Sequence, residues 1–204
     1  MVSLLLFSCA NNTIAQQIKI GSQTWATKNL DVSSFRNGDA IPEAKTTSEW
    51  TAAGDADKPA WCYYNNDTAN GAKYGKLYNW HAVNDARGLA PKGWHVPTDV
   101  EWTTLETYLG GSSVAGGKMK VTGTTTWRTP NTAAANSSGF TGLPGGYRDY
   151  NGPFYSVAYY GYWWSSTEYI TTVAWSRYLY YNNGYFYRNF NNKHYGLSVR
   201  CLRD

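Results

Sequence analysis

Charge is scarce in this chain. Only 16% of its 204 residues are Asp, Glu, Lys or Arg, and the formal charge is +4. The basic residues stand singly. Without a Lys/Arg run there is no phosphate-binding stripe, which excludes nucleic acid as a partner class. Histidine is limited to His81, His95 and His194, far apart in sequence, and no His/Cys/carboxylate cluster has zinc-ligand spacing. No glycine-rich loop sits between a strand and a helix, so a phosphate-cradling nucleotide site is excluded. No serine lies in a nucleophile-elbow pattern. Long apolar runs are also missing. The one apolar stretch, residues 2–10, is too short to span a bilayer.

Cysteine is limited to Cys9, Cys62 and Cys201. The opening "MVSLLLFSCA" reads as an export signal over residues 1–16, although a basic n-region is missing. Two endings compete. "LFSC" resembles a bacterial lipobox and would place a lipid on Cys9, giving the chain a lipid anchor in a membrane. "NNTIAQQ" resembles a cleavage site near Ala15 or Gln16. Export to the outer membrane or cell surface follows from either. In an oxidising compartment Cys62 and Cys201 can pair, closing a loop of nearly the whole domain and contributing about 3–5 kcal/mol. The alternative is two buried free thiols.

Aromatic residues are what the chain has in excess: 18 Tyr, 10 Trp and 6 Phe, with 20 Gly. That composition suits a loop-rich β or α+β extracellular protein rather than a helical bundle. One domain over 17–204 accommodates the length. "IKIGSQTWATKNLDV" (18–32) predicts a hairpin, and "TTSEWTAAG" one or two helical turns. Residues 59–67 and 74–83 read as two extended segments. Thr98 and Glu101 form a capping box ahead of Trp102, Leu105 and Leu109, predicting an amphipathic helix over 98–109. Residues 110–140 read as a long ordered loop. His95 reads as a core or capping residue.

From residue 154 the pattern turns to strands over 154–166, 173–190 and 195–204, with "NNG" at 182–184 as a hairpin turn. Alternation puts Trp175, Arg177 and Leu179 on one face and Ala174, Ser176, Tyr178 and Tyr180 on the other. Trp80, Trp94, Trp102, Trp163, Trp164 and Trp175 are the expected core. "DYNG" (149–152) and "YNND" (64–67) carry oxygens that suit calcium, or ordinary Asx turns. No other cofactor is indicated.

Seven motifs in order, "KIGSQTWATKNLDV", "WCYYNND", "YGKLYNWHAV", "GWHVPTDVEWTTLE", "GFTGLPGGYRD", "GYWWSSTE" and "YGLSVRCLRD", resemble the Fibrobacter succinogenes major paralogous domain from about Ile18 to Asp204. That family is bacterial, exported and often attached to the cell surface, with no established enzymatic activity. "GWHVPTDVEW" and "GLSVR" are also similar to elements of formylglycine-generating-enzyme-like domains. The resemblance implies an α+β, C-type-lectin-like fold of small twisted antiparallel sheets with one or two helices and long loops. Those enzymes need a redox-active Cys pair near the C-terminal part of the site. Here only Cys201 lies there, which speaks against that activity.

The same fold carries the variable proteins diversified by retroelements, in which randomised AAC and AAT codons exclude Trp, Lys, Glu, Gln and Met. In the window 169–195 only Trp175 and Lys193 fall outside the accessible set. The expected function is therefore a surface-displayed binding module. Its ligand would be a protein or glycan on another cell, phage or host surface. Its site lies within about 155–195: Tyr159, Tyr160, Tyr162, Tyr169, Thr171, Tyr178, Tyr180, Asn182, Asn183, Tyr185, Tyr187, Asn189, Asn191 and His194. Tyr and Asn there match the make-up of antibody paratopes. The competing reading is a structural envelope or pilus-associated module without a defined ligand.

Overall fold

The computed structural model describes Ile14 and residues 16–204. The lipidation expected at Cys9 lies outside the described residues, as does the signal read over residues 1–16 except for Ile14 and Gln16.

The first hairpin forms as its Gly-Ser turn predicts: β1 (Gln17–Ile20) pairs antiparallel with β2 (Gln23–Ala26). Helix α1 (Thr47–Asp55) starts at a capping box between Thr46 and Glu49 and buries Trp50. The two segments expected to be extended are so only over β3 (Trp61–Cys62) and, beyond α2 (Thr68–Tyr74), over β4 (Leu77–Tyr78), which pair with each other. The reason is capping. The Asp67 carboxylate accepts from the Ala69 N–H at 2.9 Å. The Asn79 side chain accepts from the Ala82 N–H at 3.1 Å, turning the chain into α3 (Trp80–Val83).

Strand β5 (Trp94–His95) leads to α4 (Asp99–Tyr108), the helix predicted from its capping box. Thr98 accepts from the Glu101 N–H, and the Glu101 carboxylate accepts from the Thr98 N–H at 2.7 Å. His95 bridges from there to the chain end, with Nε2 2.9 Å from Glu101 and Nδ1 2.7 Å from Asp204. Burial opposes its protonation, but these two carboxylates outweigh burial and raise its pKa.

The long loop expected over 110–140 instead opens with a helix, α5 (Ser112–Met119). Gly116 and Gly117 hide it in the sequence, since glycine is a poor helix former. Their role is close approach: a Cβ on Gly116 would lie 2.0 Å from the Tyr185 carbonyl, and one on Gly117 2.5 Å from the Ala133 carbonyl.

The remaining strands are β6 (Tyr147–Arg148), β7 (Phe154–Tyr155), β8 (Tyr160–Ile170), β9 (Val173–Tyr180), β10 (Phe186–Asn192) and β11 (Leu202–Arg203). They form a four-stranded sheet β1-β2-β11-β5, a three-stranded sheet β10-β9-β8 and the two-stranded pairs β3-β4 and β6-β7. The fold is α+β with small antiparallel sheets, as expected.

Adjacent tryptophans on β8 divide the core because successive side chains point to opposite faces. Trp163 packs with Trp25, Trp102, Phe140 and Leu179. Trp164 packs with Tyr78, Trp80, Val199 and Cys201. A third cluster holds Trp50, Cys62, Tyr64 and Leu77. Cys62 and Cys201 are thus in different clusters, and both are free, buried thiols. The pairing expected from the oxidising compartment is not formed. Burial pushes each thiol up to about 12. Reductant is therefore expected to leave the melting temperature unchanged. Alkylation of the folded chain should not label either residue until it unfolds; a drop of several degrees with dithiothreitol would show a disulfide instead.

Candidate functional site

The β10-β9-β8 sheet positions most of the expected binding residues. In register, Tyr160 lies opposite Tyr180, Tyr162 opposite Tyr178, and Tyr178 opposite Tyr187. These side chains share one face and touch. The Tyr178 and Tyr187 rings stack 4.4 Å apart at 8°, and Tyr160 stacks on Tyr180 at 4.5 Å. Tyr162 meets Tyr178 at 5.2 Å, and Tyr185 meets Tyr187 at 5.7 Å. Such pairs each contribute about 0.5–1.5 kcal/mol beyond area burial.

The face extends beyond the residues read from the sequence. Tyr147 of β6 contacts Tyr162, Tyr155 and Tyr195, and Tyr195 contacts Tyr150. At the other end Tyr181 bridges Tyr180 and Tyr159. The signal for Tyr147 and Tyr150 was present in "GGYRDY", but their sequence distance from the strands concealed the contact.

None of the fourteen expected residues is buried, though they do not form one patch. Tyr159, Tyr160, Tyr162, Tyr178, Tyr180, Tyr185 and Tyr187 belong to the tyrosine face. Asn183 joins it by donating to the Tyr187 hydroxyl at 2.9 Å, and Asn182 is exposed in the same turn. Asn189 and Asn191 continue along the Tyr187 side of β10, where Asn191 donates to Ser176 Oγ at 2.7 Å. Tyr169 lies apart, stacked on Phe190 at 4.9 Å and against Trp175 at 4.5 Å. Thr171 is exposed at the β8-β9 turn. His194 is drawn to a different place, beside His81 and Asp57.

The alternation along β9 holds for Arg177 and Leu179, which are buried, and for Tyr178 and Tyr180, which are half-buried. The faces stay as expected to the other end of the strand, but there the covered side changes. Ala174 and Ser176 are buried, while Trp175, expected in the core, is half-buried under the Arg188 guanidinium, 3.3 Å from its ring centre. On the tyrosine side Ala174 is covered by the core cluster of Trp164, and beside this end β8 is bulged. Between Trp164 and Glu168, β8 advances four residues while β9 advances two, from Ser176 to Ala174. The extra residues turn toward α4: the Ser166 N–H donates to the Pro97 carbonyl, and Thr167 Oγ1 accepts from the Asp99 N–H at 3.0 Å. A bulge of this kind bends the strand and re-aims its side chains.

Polar groups fix the sheet from behind. Arg177 donates to the carboxylates of Asp99 at 2.8 Å and Glu106 at 2.9 Å on α4. Lys120, fully buried, donates to the carbonyls of Thr132, Tyr180 and Asn183 at 2.8–3.0 Å. Burial lowers its pKa to about 8, so it is charged at neutral pH. Loss of solvent raises the hydroxyl pKa of Tyr147, Tyr162 and Tyr178, and pushes Tyr180 and Tyr195 up to about 12. The face therefore presents neutral hydroxyls, each a donor and an acceptor.

The oxygen-rich turns have local roles. Asp149 accepts from the Asn151 N–H at 3.2 Å, and Asp67 caps α2. The group among the described residues with metal-ligand geometry is Asp57, His81 and His194, so two histidines far apart in sequence do meet in space. No helix among the described residues is long and apolar enough to cross a membrane.

These features define an α+β domain whose longest strands display a tyrosine-lined face. The model of the Fibrobacter succinogenes major domain matches residues 18–203, and the chain belongs to that family. Among curated proteins and among solved structures, nothing matches it.

Proposed function

We propose that this chain is an exported, surface-displayed binding module that engages a protein or glycan through the tyrosine face of β8, β9 and β10. The observation that carries the reading is the continuous run of touching rings on one face, from exposed Tyr185 through half-buried Tyr187 and Tyr178 to Tyr162. Tyrosine offers a large rigid contact at low rotamer cost, and its hydroxyl adds directional hydrogen bonds. The same rings suit stacking on a sugar. The C-type-lectin-like fold implied by the motif resemblance belongs to this proposal, supported by small antiparallel sheets held by helices and loops. A non-enzymatic role is supported by two buried thiols whose pKa values of about 12 keep them protonated at neutral pH.

Hypervariability is part of the proposal. Of the two residues in 169–195 outside the set reached by randomised Asn codons, Lys193 is buried, with its ammonium 2.5 Å from Glu168 and 2.7 Å from the Thr171 carbonyl. Trp175 is held under Arg188. Both are structural, which leaves the surface positions with the composition diversification would give. Sequencing the 3′ end of the gene across a clonal population tests this. Changes confined to adenines at Tyr and Asn positions support it, and an invariant segment removes it.

Binding itself is tested on protein and glycan arrays with the full chain. Tyr187→Ala is expected to weaken the ligands found by roughly 30-fold, the effect of a residue worth about 2 kcal/mol. Ligands bound equally well by Tyr187→Ala and Tyr178→Ala would place the site elsewhere.

A further inference from the structure

We propose that Asp57, His81 and His194 form a site for a divalent metal of the zinc class. Three separate segments converge there: the turn after α1, helix α3 and the connection from β10 to β11. One ligand atom from each residue lies within 4.8 Å of the other two. Asp57 Oδ1 is 3.4 Å from His81 Nε2 and 3.9 Å from His194 Nε2. Tetrahedral zinc with bonds of about 2.0–2.1 Å spaces its ligand atoms about 3.3–3.5 Å apart. A closure of well under 1 Å at His194 thus brings these two distances into range. Two imidazoles and a carboxylate are a donor set that zinc takes readily.

Independent features point the same way. His81 Nε2 is sealed from solvent and has no hydrogen-bond partner. An orphaned polar atom of this kind carries an uncompensated desolvation penalty unless something occupies it, and the Asp57 carboxylate beside it, at 3.4 Å, is out of hydrogen-bonding geometry. The backbone is shaped for the second histidine. Gly54 lies in the last turn of α1, and a Cβ there would sit 2.7 Å from the His194 ring. Asp57 follows with φ +52, its N–H donating to the Gly54 carbonyl. That turn swings its carboxylate toward the two rings. The adverse charge nearby, Lys193, is engaged by Glu168 and the Thr171 carbonyl and lies over the Trp80 ring.

Asp57 is 80% exposed while His81 is nearly enclosed, so the metal would be reached from the solvent side. Three protein ligands leave a fourth position for water. A metal here would staple α1, α3 and the β10-β11 connection together. Its binding free energy would add to stability, because the unfolded chain has no such site.

The test uses the full chain stripped of metal with a chelator. Titration with Co²⁺ is expected to give the visible d–d bands of a four- or five-coordinate site, saturating at one ion per chain and abolished by Zn²⁺. Zn²⁺ alone should raise the melting temperature. His81→Gln and His194→Gln should each weaken binding by more than about tenfold, since even outer-shell partners are worth that much. Asp57→Asn, at an exposed position, keeps the fold intact and should also bind more weakly. Absence of the bands together with an unmoved melting temperature at millimolar Zn²⁺ overturns the proposal. So does binding that survives unchanged in Asp57→Asn or in both histidine variants.

Discussion

Arg200→Met is expected to destabilise the chain by about 3–5 kcal/mol and to lower the melting temperature by roughly 10 °C. Arg200 is fully buried, and among the described residues it has no carboxylate as an ion-pair partner. Its guanidinium instead donates to Asn29 Oδ1 at 2.9 Å, to the Ala26 carbonyl at 3.0 Å, and to the Phe140 and Thr141 carbonyls. Its plane lies over the Phe140 ring. Methionine fills part of the volume but leaves these carbonyls without the guanidinium donor and Asn29 Oδ1 with the Trp163 indole N–H alone, at 2.8 Å, and a buried acceptor stripped of its partner keeps its full desolvation penalty. Arg200→Lys keeps the charge but cannot reproduce the fork, so it should fall between. Urea denaturation of the three proteins decides the matter. A loss below about 1 kcal/mol for Arg200→Met would mean that water replaces the guanidinium.

Trp164→Ala is the second large effect, about 3–5 kcal/mol. The ring is completely enclosed between Tyr78, Trp80, Val199 and Cys201, and its indole N–H donates to the Tyr78 carbonyl at 2.8 Å. Truncation removes the transfer free energy of a large ring and leaves a cavity that strand β8 cannot collapse, because Trp163 holds its other face. Trp164→Phe keeps most of the volume and loses the hydrogen bond, so its effect should be about 1–2 kcal/mol. Equal losses for the two variants would show that the hydrogen bond, rather than ring volume, dominates.

Much of this arrangement was legible in the sequence for local reasons. The α4 helix announces itself through Thr98, Glu101 and a 3.6-residue apolar stripe, and all three are short-range signals. The first hairpin and the β9-β10 turn depend on Gly and Asn at fixed offsets, which are equally local. The concealed features are those set by distant contacts. Helix α5 is masked by Gly116 and Gly117, whose missing side chains matter only because the Tyr185 and Ala133 carbonyls come so close. Asn79 and Asp67 cap helices inside segments that an aromatic-rich pattern presents as extended. The burial of Arg148, Arg177 and Arg200 could not be read either, since each finds acceptors far away in sequence. Of the candidate face, the strand tyrosines were visible by alternation. Tyr147, Tyr150 and Tyr195 were not, because they arrive from other elements. The bulge in β8 has no composition signature, nor does the change of covered side along β9 that buries Ala174 and leaves Trp175 under Arg188.

The backing of the β9-β10 turn has a consequence for anything that docks on it. Three carbonyls around that turn converge on Lys120, and the absence of a side chain at Gly116 lets α5 press against its backbone. The hairpin tip is therefore ordered before an encounter takes place. Association then sacrifices little backbone freedom, and the rings need only settle among a few rotamers. A preorganised surface of this kind gains affinity chiefly through slow dissociation, because contacts once made are not shaken loose by a moving loop.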